Sequence, residues 1–458
     1  MTTRAAGLLL LAAALVAAEP VPLPERPAHP GWIADDPRWT IQALPAVNGA
    51  SAAYLRLLAD GPVTVAVATP GRRSAPTVLP RRPGTGAVRR GATVAMTVPG
   101  PGTWTLVLDG EPAQGLHVAV DAPVAGTGSR PELTFGPGVH EVDTITLRDG
   151  DRLWLDPRAV LRPRPPAAEE RPVVAKDWAG MPMWRPFIVA DGATGVTIAG
   201  GGTIDLSRLP WHARMAVVFW RCTDVRVEGL TIIDAPTWGI AAFQCRDVAI
   251  RRVRNLSHRE NSDGIDLCNT VRATVEDGFF RTNDDAVCVK TTEPPPAQMS
   301  SDITVRRVTV WNERARALGI TSETRQDIAR VAFTDCDIIR DFSTGGECAA
   351  LAVLVADRGT MSEVSFTGIR LEHVRNTAAL LRIGADAWGT DAERGRVRGV
   401  VFRDLAFAAG APARWRVEGF SAAHMIEGLA IRGLTRDGRP ARPEITANAW
   451  VGPIATDP

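Results

Sequence analysis

The chain has no apolar run beyond its first twenty residues that is long enough to cross a bilayer, and no cysteines in a C-x-x-C pair. The first gap excludes a bundle of membrane-spanning helices. The second, with only seven scattered histidines, argues against a zinc site, and no bound metal is expected. An excess of one charge is missing too. The 52 basic and 51 acidic residues leave a net charge of +1, no reason to expect nucleic acid or an anionic membrane as partner. Glycine (42) and proline (35) are plentiful, which favours turns over long helices. The run Ala199 to Thr203 (AGGGT) has no helix signal after it, so it does not mark a phosphate or dinucleotide pocket, and no cofactor is expected.

What is present begins with an export signal over residues 1–18. Arg4 precedes an apolar stretch from Ala5 to Ala18, and Val16-Ala17-Ala18 offers small residues for cleavage before Glu19. A secreted protein, extracellular or periplasmic, is expected, with no further membrane contact. The length of 458 residues exceeds what one core usually supports, so two domains are expected. Residues 19–128 carry short β-rich runs broken by Gly, Pro and Asp-Gly turns, the pattern of a small β-sandwich. Its aromatics, Tyr54 and Trp104, are most simply core.

The texture changes after Pro131. Short V-x-[IVF]-x strands continue from there through 129–458. Cys222-Thr223-Asp224-Val225 recurs as Cys245-Arg246-Asp247-Val248 and again as Cys268-Asn269-Thr270-Val271, at intervals of 245 − 222 = 23 and 268 − 245 = 23. A fixed period in the twenties with strand character and no helical periodicity marks a solenoid. The fold class expected is all-β, a right-handed parallel β-helix preceded by a sandwich. Cys222, Cys245 and Cys268 are expected to stack in one interior ladder as small buried hydrophobes rather than as disulfides.

The stretch NSDGIDLCNTVRATVEDGFFRTNDDAVCVK, Asn261 to Lys290, places Asp263 at one end and Asp284 and Asp285 near the other. Asn and Asp suit turns, so each group alone reads as a corner. Their separation changes that. Intervals of 21 and 22 residues equal one turn of the coil, so the three carboxylates should lie a strand spacing apart. Stacked acids repel, which raises at least one pKa and adds nothing to stability. Such an arrangement suits an acid that donates a proton beside one that accepts it. Neighbours in a strand point to opposite faces, so Asp284 and Asp285 share a cleft only if the chain bends, plausibly at Thr282 and Asn283. Asp266 would join the cluster or close a turn.

With N-S-D-G-I-D followed one turn later by N-D-D-A, and VTIAGGGTID (Val196 to Asp205) ahead of them, the chain resembles glycoside hydrolase family 28, the polygalacturonases, from about Pro131 onward. An added N-terminal sandwich is similar to the arrangement in bacterial members. The resemblance implies that Asp284 protonates the leaving oxygen, that Asp263 and Asp285 deliver water, and that configuration inverts, with the acids far enough apart to admit a water. It departs from the family in two places. Where G-H-G is expected, ARALGITSETR has Leu318-Gly319 and no histidine, with Glu323 the nearest polar substitute. The family's R-I-K stands as Arg382-Ile383-Gly384, which keeps the arginine and loses the lysine that would face a uronate. A neutral or differently decorated sugar becomes more plausible. Lys290 would compensate, although a solvated strand-end lysine is the plainer reading.

Asn261 and Asn283, beside the acids, are further candidates for substrate contact. Trp238, Trp311 and Trp388 fall near the adjoining turns, where an indole stacks on a sugar or packs in the core. The expected function is a secreted hydrolase of a pectic or related polysaccharide, acting as a monomer. Two alternatives stay open: a calcium-dependent polysaccharide lyase using Arg382 as base, and a β-helix that binds glycan without cleaving it.

Overall fold

Short β-branched runs between turn residues cannot bury an apolar face alone, and in this chain they do so by stacking. The computed structural model describes residues 18–21, 28, 33–47, 50–71, 74–108, 111–122, 133–165, 171–174 and 181–457. No helix occurs among them. Apart from Ala18, the expected export signal lies outside the described residues.

The chain divides into two compact units, residues 1–43 with 52–123, and residues 44–51 with 124–458. The smaller holds two sheets, one around Ala50–Leu58, Glu111–Asp121, Gly102–Leu108 and Pro76–Leu79, the other of Ile33–Ala34, Val63–Ala68, Thr93–Val98 and Gly86–Arg90. Val63–Ala68 alternates buried and half-buried residues, the period of a sheet with one face on a core. That core includes Leu55, Val65, Trp104, Leu106 and Val118.

Among the described residues, the larger unit holds three long sheets, two of twelve strands and one of eleven. Over most of its length each strand pairs in parallel with the strand three further on, so the chain visits the sheets in turn and returns one rung higher. That is a parallel β-helix. Strands Arg254–Leu256, Phe279–Thr282 and Thr309–Asn312 belong to the second sheet. Ile240–Phe243, Ile265–Cys268, Val287–Thr291 and Arg316–Thr324 belong to the third. Alternate residues of that third sheet fill the interior: Ile240, Ala242, Ile265, Leu267, Val287, Val289, Leu318 and Ile320. The residues between them, including Asp266, Cys288 and Lys290, lie on its outer face, because successive side chains alternate across a sheet. Inside, Phe333, Phe366 and Phe402 stack at 4.8 and 5.0 Å with rings nearly parallel, close to the spacing of neighbouring strands.

The coil is less regular than the cysteine repeat suggests. Pairing of Ile240 with Ile265 makes one turn 265 − 240 = 25 residues, and pairing of Ile265 with Val287 makes the next 287 − 265 = 22. The expected triple cysteine ladder therefore fails. Cys222 and Cys245 occupy matching places just before the paired residues Thr223 and Arg246, but the next place is Thr270, before Val271. Cys268 instead pairs with Phe243 on the outer face of the third sheet and packs in a small cluster with Val218 and Ala241. The longer turn inserts two residues and moves the cysteine off the ladder. All six cysteines are free thiols.

Gly319 shows how closely the rungs approach. A Cβ there would lie 2.2 Å from the carbonyl oxygen of Ala352 on the next rung. Neither backbone can move without breaking register, so Gly319→Ala is expected to destabilise the β-helix by about 2–3 kcal/mol. Thermal denaturation against wild type, followed by circular dichroism, measures this.

Candidate active site

Residues 283–286 turn the corner between Phe279–Thr282 of the second sheet and Val287–Thr291 of the third. Asp284 and Asp285 stand on that corner, not inside a strand, which is how sequence neighbours come to share one site. The corner is tied from within. The Asp285 amide donates to Asp284 Oδ1 at 2.9 Å, and Thr282 Oγ1 donates to the Asp284 carbonyl at 2.9 Å. From the next rung, Asn312 Nδ2 donates to the same carbonyl at 2.6 Å. Asn255 does the same for the other acid, its Nδ2 donating to the Asp263 carbonyl at 3.1 Å.

The 22-residue turn sets residue 263 level with residue 285, and the Gly264 amide donates to the Asp285 carbonyl at 2.8 Å. One carboxylate oxygen from each of Asp263, Asp284 and Asp285 then lies within 4.8 Å of the other two. This is closer than the roughly 6.5–9.5 Å between the carboxyls of most inverting glycosidases. Two oxygens this near share one water, each within hydrogen-bond reach of about 2.8 Å, rather than flanking it from a distance.

Asp263 and Asp285 are buried, and Asp284 alone of the three is partly open. Burial, and then the charge of Asp285, pushes the Asp284 carboxyl up to about 6, against the pull of Arg316 and Lys290. Burial raises Asp263 as well, aided by Asp266 and Asp284. Asp285 is the ion-paired member: Arg316 Nε lies 2.9 Å from its Oδ1, and Arg316 Nη2 donates to its Oδ2 at 3.0 Å.

Lys290 is not the solvated strand-end lysine that the sequence suggested. It is buried on the outer face of the third sheet, with Nζ 2.9 Å from Asp266, 3.4 Å from Asp263 and 3.8 Å from Glu323. Burial works against its charge, yet Asp266 and its neighbours hold the ammonium well above the usual lysine range. It also lies 4.1 Å over the ring of Trp238, a cation–π contact. Glu323 reaches Lys290 because the strand bulges: three residues, 321–323, oppose Lys290 alone, with Ser322 in left-handed backbone (φ 42°). Bulges of this kind re-aim side chains beside active sites.

The other expected residues fall in different places. Asn283 sits on the corner with its Oδ1 buried and without a hydrogen-bond partner. Asn261 is in left-handed backbone (φ 62°), and its side-chain oxygen lies 3.2 Å from His212 Nε2. Arg382 stands on the third sheet, three rungs beyond Lys290, ion-paired to Glu347 and 3.7 Å from Glu418. Trp238 stacks on Phe243 at the edge of the acid cluster. Trp311 is fully buried, its Nε1 donating to Glu313 at 2.6 Å, and is core.

Arg316 and Asn312 were missed. The signal of Arg316 was readable in part: Ala315-Arg316-Ala317 keeps the small–basic–small pattern of the expected G-H-G. Asn312 and Asn255 carried none, since their role is to a backbone carbonyl reached only across a rung. Two groups have donor atoms close enough for a cation, namely the three aspartates and the set Asp263, Asp266 and Cys288. In the second, the Lys290 ammonium already lies against both carboxylates.

Residues 172–382 match the family model of Glycosyl hydrolases family 28. Over those residues the chain is similar to glycoside hydrolase family 28. A probable polygalacturonase of Arabidopsis thaliana is 22% identical over 216 residues, 43% of this chain and 46% of that protein. Polygalacturonase-2 of Solanum lycopersicum is 26% identical over 121 residues, 23% of this chain and 26% of that protein. The matches thus span less than half the length of these curated relatives. Among solved structures, an exopolygalacturonase from Thermotoga maritima superposes with a TM-score of 0.58 at 20% identity, covering 71% of this chain and 84% of the other. Dex49A from Penicillium minioluteum gives 0.59 at 13% identity, covering 89% and 84%. These similarities agree with a right-handed parallel β-helix.

The raised pKa of Asp284 makes a stability prediction. Its folded value of about 6 exceeds its unfolded one near 3.9. A raised acid binds its proton more tightly when folded, so its favourable contribution is present below about pH 4 and is lost as pH rises through 6. By pH 8 the loss is about 3 kcal/mol. Asp284→Asn removes that loss, so its melting temperature should exceed wild type by several degrees at pH 8, the gap closing by pH 4. Calorimetry at both values reads it.

Proposed function

We propose that this chain is a secreted glycosidase that hydrolyses a pectic or related polysaccharide with inversion, using Asp284 as general acid and Asp263 with Asp285 to hold and activate water. The observation that carries the reading is the joining of three carboxylates within 4.8 Å, only one of which is open to the cleft and raised to about 6. A general acid works best when its pKa lies near the working pH. Asp284 has that poise and the access to reach a glycosidic oxygen. Its proton passes to the leaving oxygen as the glycosidic carbon–oxygen bond breaks. Water shared by Asp263 and Asp285 adds to the anomeric carbon and gives up its proton to the pair. Arg316 fixes the Asp285 side chain through two contacts, and Asn255 and Asn312 fix the backbone on either side of the gap.

Asp284→Asn should lower kcat by about a thousand-fold or more, since the variant keeps the shape and loses the acid. The assay is release of reducing ends from a polysaccharide panel, with ultraviolet absorbance read in parallel. New absorbance, with loss of activity in chelator, would instead indicate a lyase. Because the acid must be protonated, kcat/KM should fall as pH rises through about 6, and this basic limb should vanish in Asp284→Asn. Proton NMR of the first product gives the anomeric configuration.

A further inference from the structure

A polysaccharide hydrolase of this type meets either charged or neutral sugars, and the outer face of the third sheet carries the information to distinguish them. Five basic side chains stand along it from the acids onward: Lys290, Arg316, Arg382, Arg414 and Arg416, with Arg414 3.9 Å from Glu444. Each is already engaged. Lys290 is enclosed by Asp266, Asp263 and Glu323. Arg316 is committed to Asp285 and is nearly buried. Arg382 is held by Glu347 and Glu418, and donates to the Ala385 carbonyl at 3.1 Å. Arg416 pairs with Glu418 at 2.7 Å and donates to the Gly346 carbonyl at 2.6 Å. Against these five stand eight acids: Asp263, Asp266, Asp284, Asp285, Glu323, Glu347, Glu418 and Glu444.

We infer that the sugar bound across the acid cluster is neutral and rich in hydroxyls, not a uronate; this rests on the hydrolase reading above. A carboxylate entering here meets a surplus of like charge, and each cation that would receive it must first leave a partner. The free hydrogen-bonding capacity points the same way. Asp263 Oδ1 and Asn283 Oδ1 are buried acceptors without partners. Buried acceptors left unpaired are costly; the attacking water suits Asp263 Oδ1 and a sugar hydroxyl suits Asn283 Oδ1, whereas a carboxylate placed against either offers no donor. On the other side of the cluster from Arg382, Trp220 and Trp238 are partly buried and stack against Phe243 at 5.0 and 6.0 Å. Such surfaces take the apolar face of a sugar ring whatever its charge.

The test compares polygalacturonate with the same polymer after chemical reduction of its carboxyls to hydroxymethyl groups, which keeps linkage and shape and removes the charge. The wild-type protein is expected to cleave the reduced polymer with a kcat/KM at least ten-fold higher. Raising salt from about 20 to about 500 mM should narrow the difference by screening repulsion. The double variant Glu347→Gln/Glu418→Gln, which releases Arg382 and Arg416, should gain on polygalacturonate. Binding is read separately with the Asp284→Asn protein, by retardation in native gels containing either polymer, and stronger retardation by the reduced one is expected. Preference for polygalacturonate in cleavage or in binding, abolished by Arg382→Ala, overturns the inference and leaves the hydrolase reading intact. New ultraviolet absorbance with loss of activity in chelator would overturn the hydrolase reading and leave the charge argument standing.

Discussion

Parallel stacking of one rung on the next, at a strand spacing of about 4.8 Å, is the constraint from which the rest of the molecule follows. It turns residues 22 apart in sequence into neighbours, as the pairing of Ile265 with Val287 does for Asp263 and Asp285. It also makes every inward position a ladder. Aliphatic side chains from successive rungs fill the interior, and the phenylalanines at 333, 366 and 402 form a stack whose spacing is that of the strands. Where a rung comes too near for any side chain, as at Gly319 against Ala352, the residue is glycine.

The outer face of the third sheet works against this economy. Five carboxylates there crowd two cations, Lys290 and Arg316, all at least partly buried. Buried ion pairs seldom add net stability, because the desolvation they need offsets their attraction. Their effect here is positional. Arg316 holds Asp285 at two atoms, and Lys290 draws Asp266, Asp263 and Glu323 about one ammonium. The price is a strained electrostatic state whose relief in Asp284→Asn would appear as added stability. Such exchange of stability for reactivity is common at catalytic sites.

Irregularity in the coil has its own part. Turns of 25 and 22 residues, a bulge of three residues opposite Lys290, and a corner at 283–286 all fall within two rungs of the acids. The corner lets Asp284 and Asp285 face one site, and the bulge brings Glu323 to Lys290. The local departures aim the side chains, and the regular ladders on either side hold those departures in place.

Periodicity alone made the solenoid legible, because a repeat of strand-forming residues in the twenties has few other ways to bury itself. The one-turn spacing of Asp263 from Asp284 and Asp285 followed from the same arithmetic, and so did their gathering at one site. What the linear order did not contain was which residue lies opposite which across a rung of variable length. Cys268 left its expected ladder, Lys290 turned out buried among acids, and Arg316, Asn255 and Asn312 emerged as supports. Register is the reason: it depends on where each turn adds or drops a residue, and tertiary pairing decides that, shifting every later contact with it.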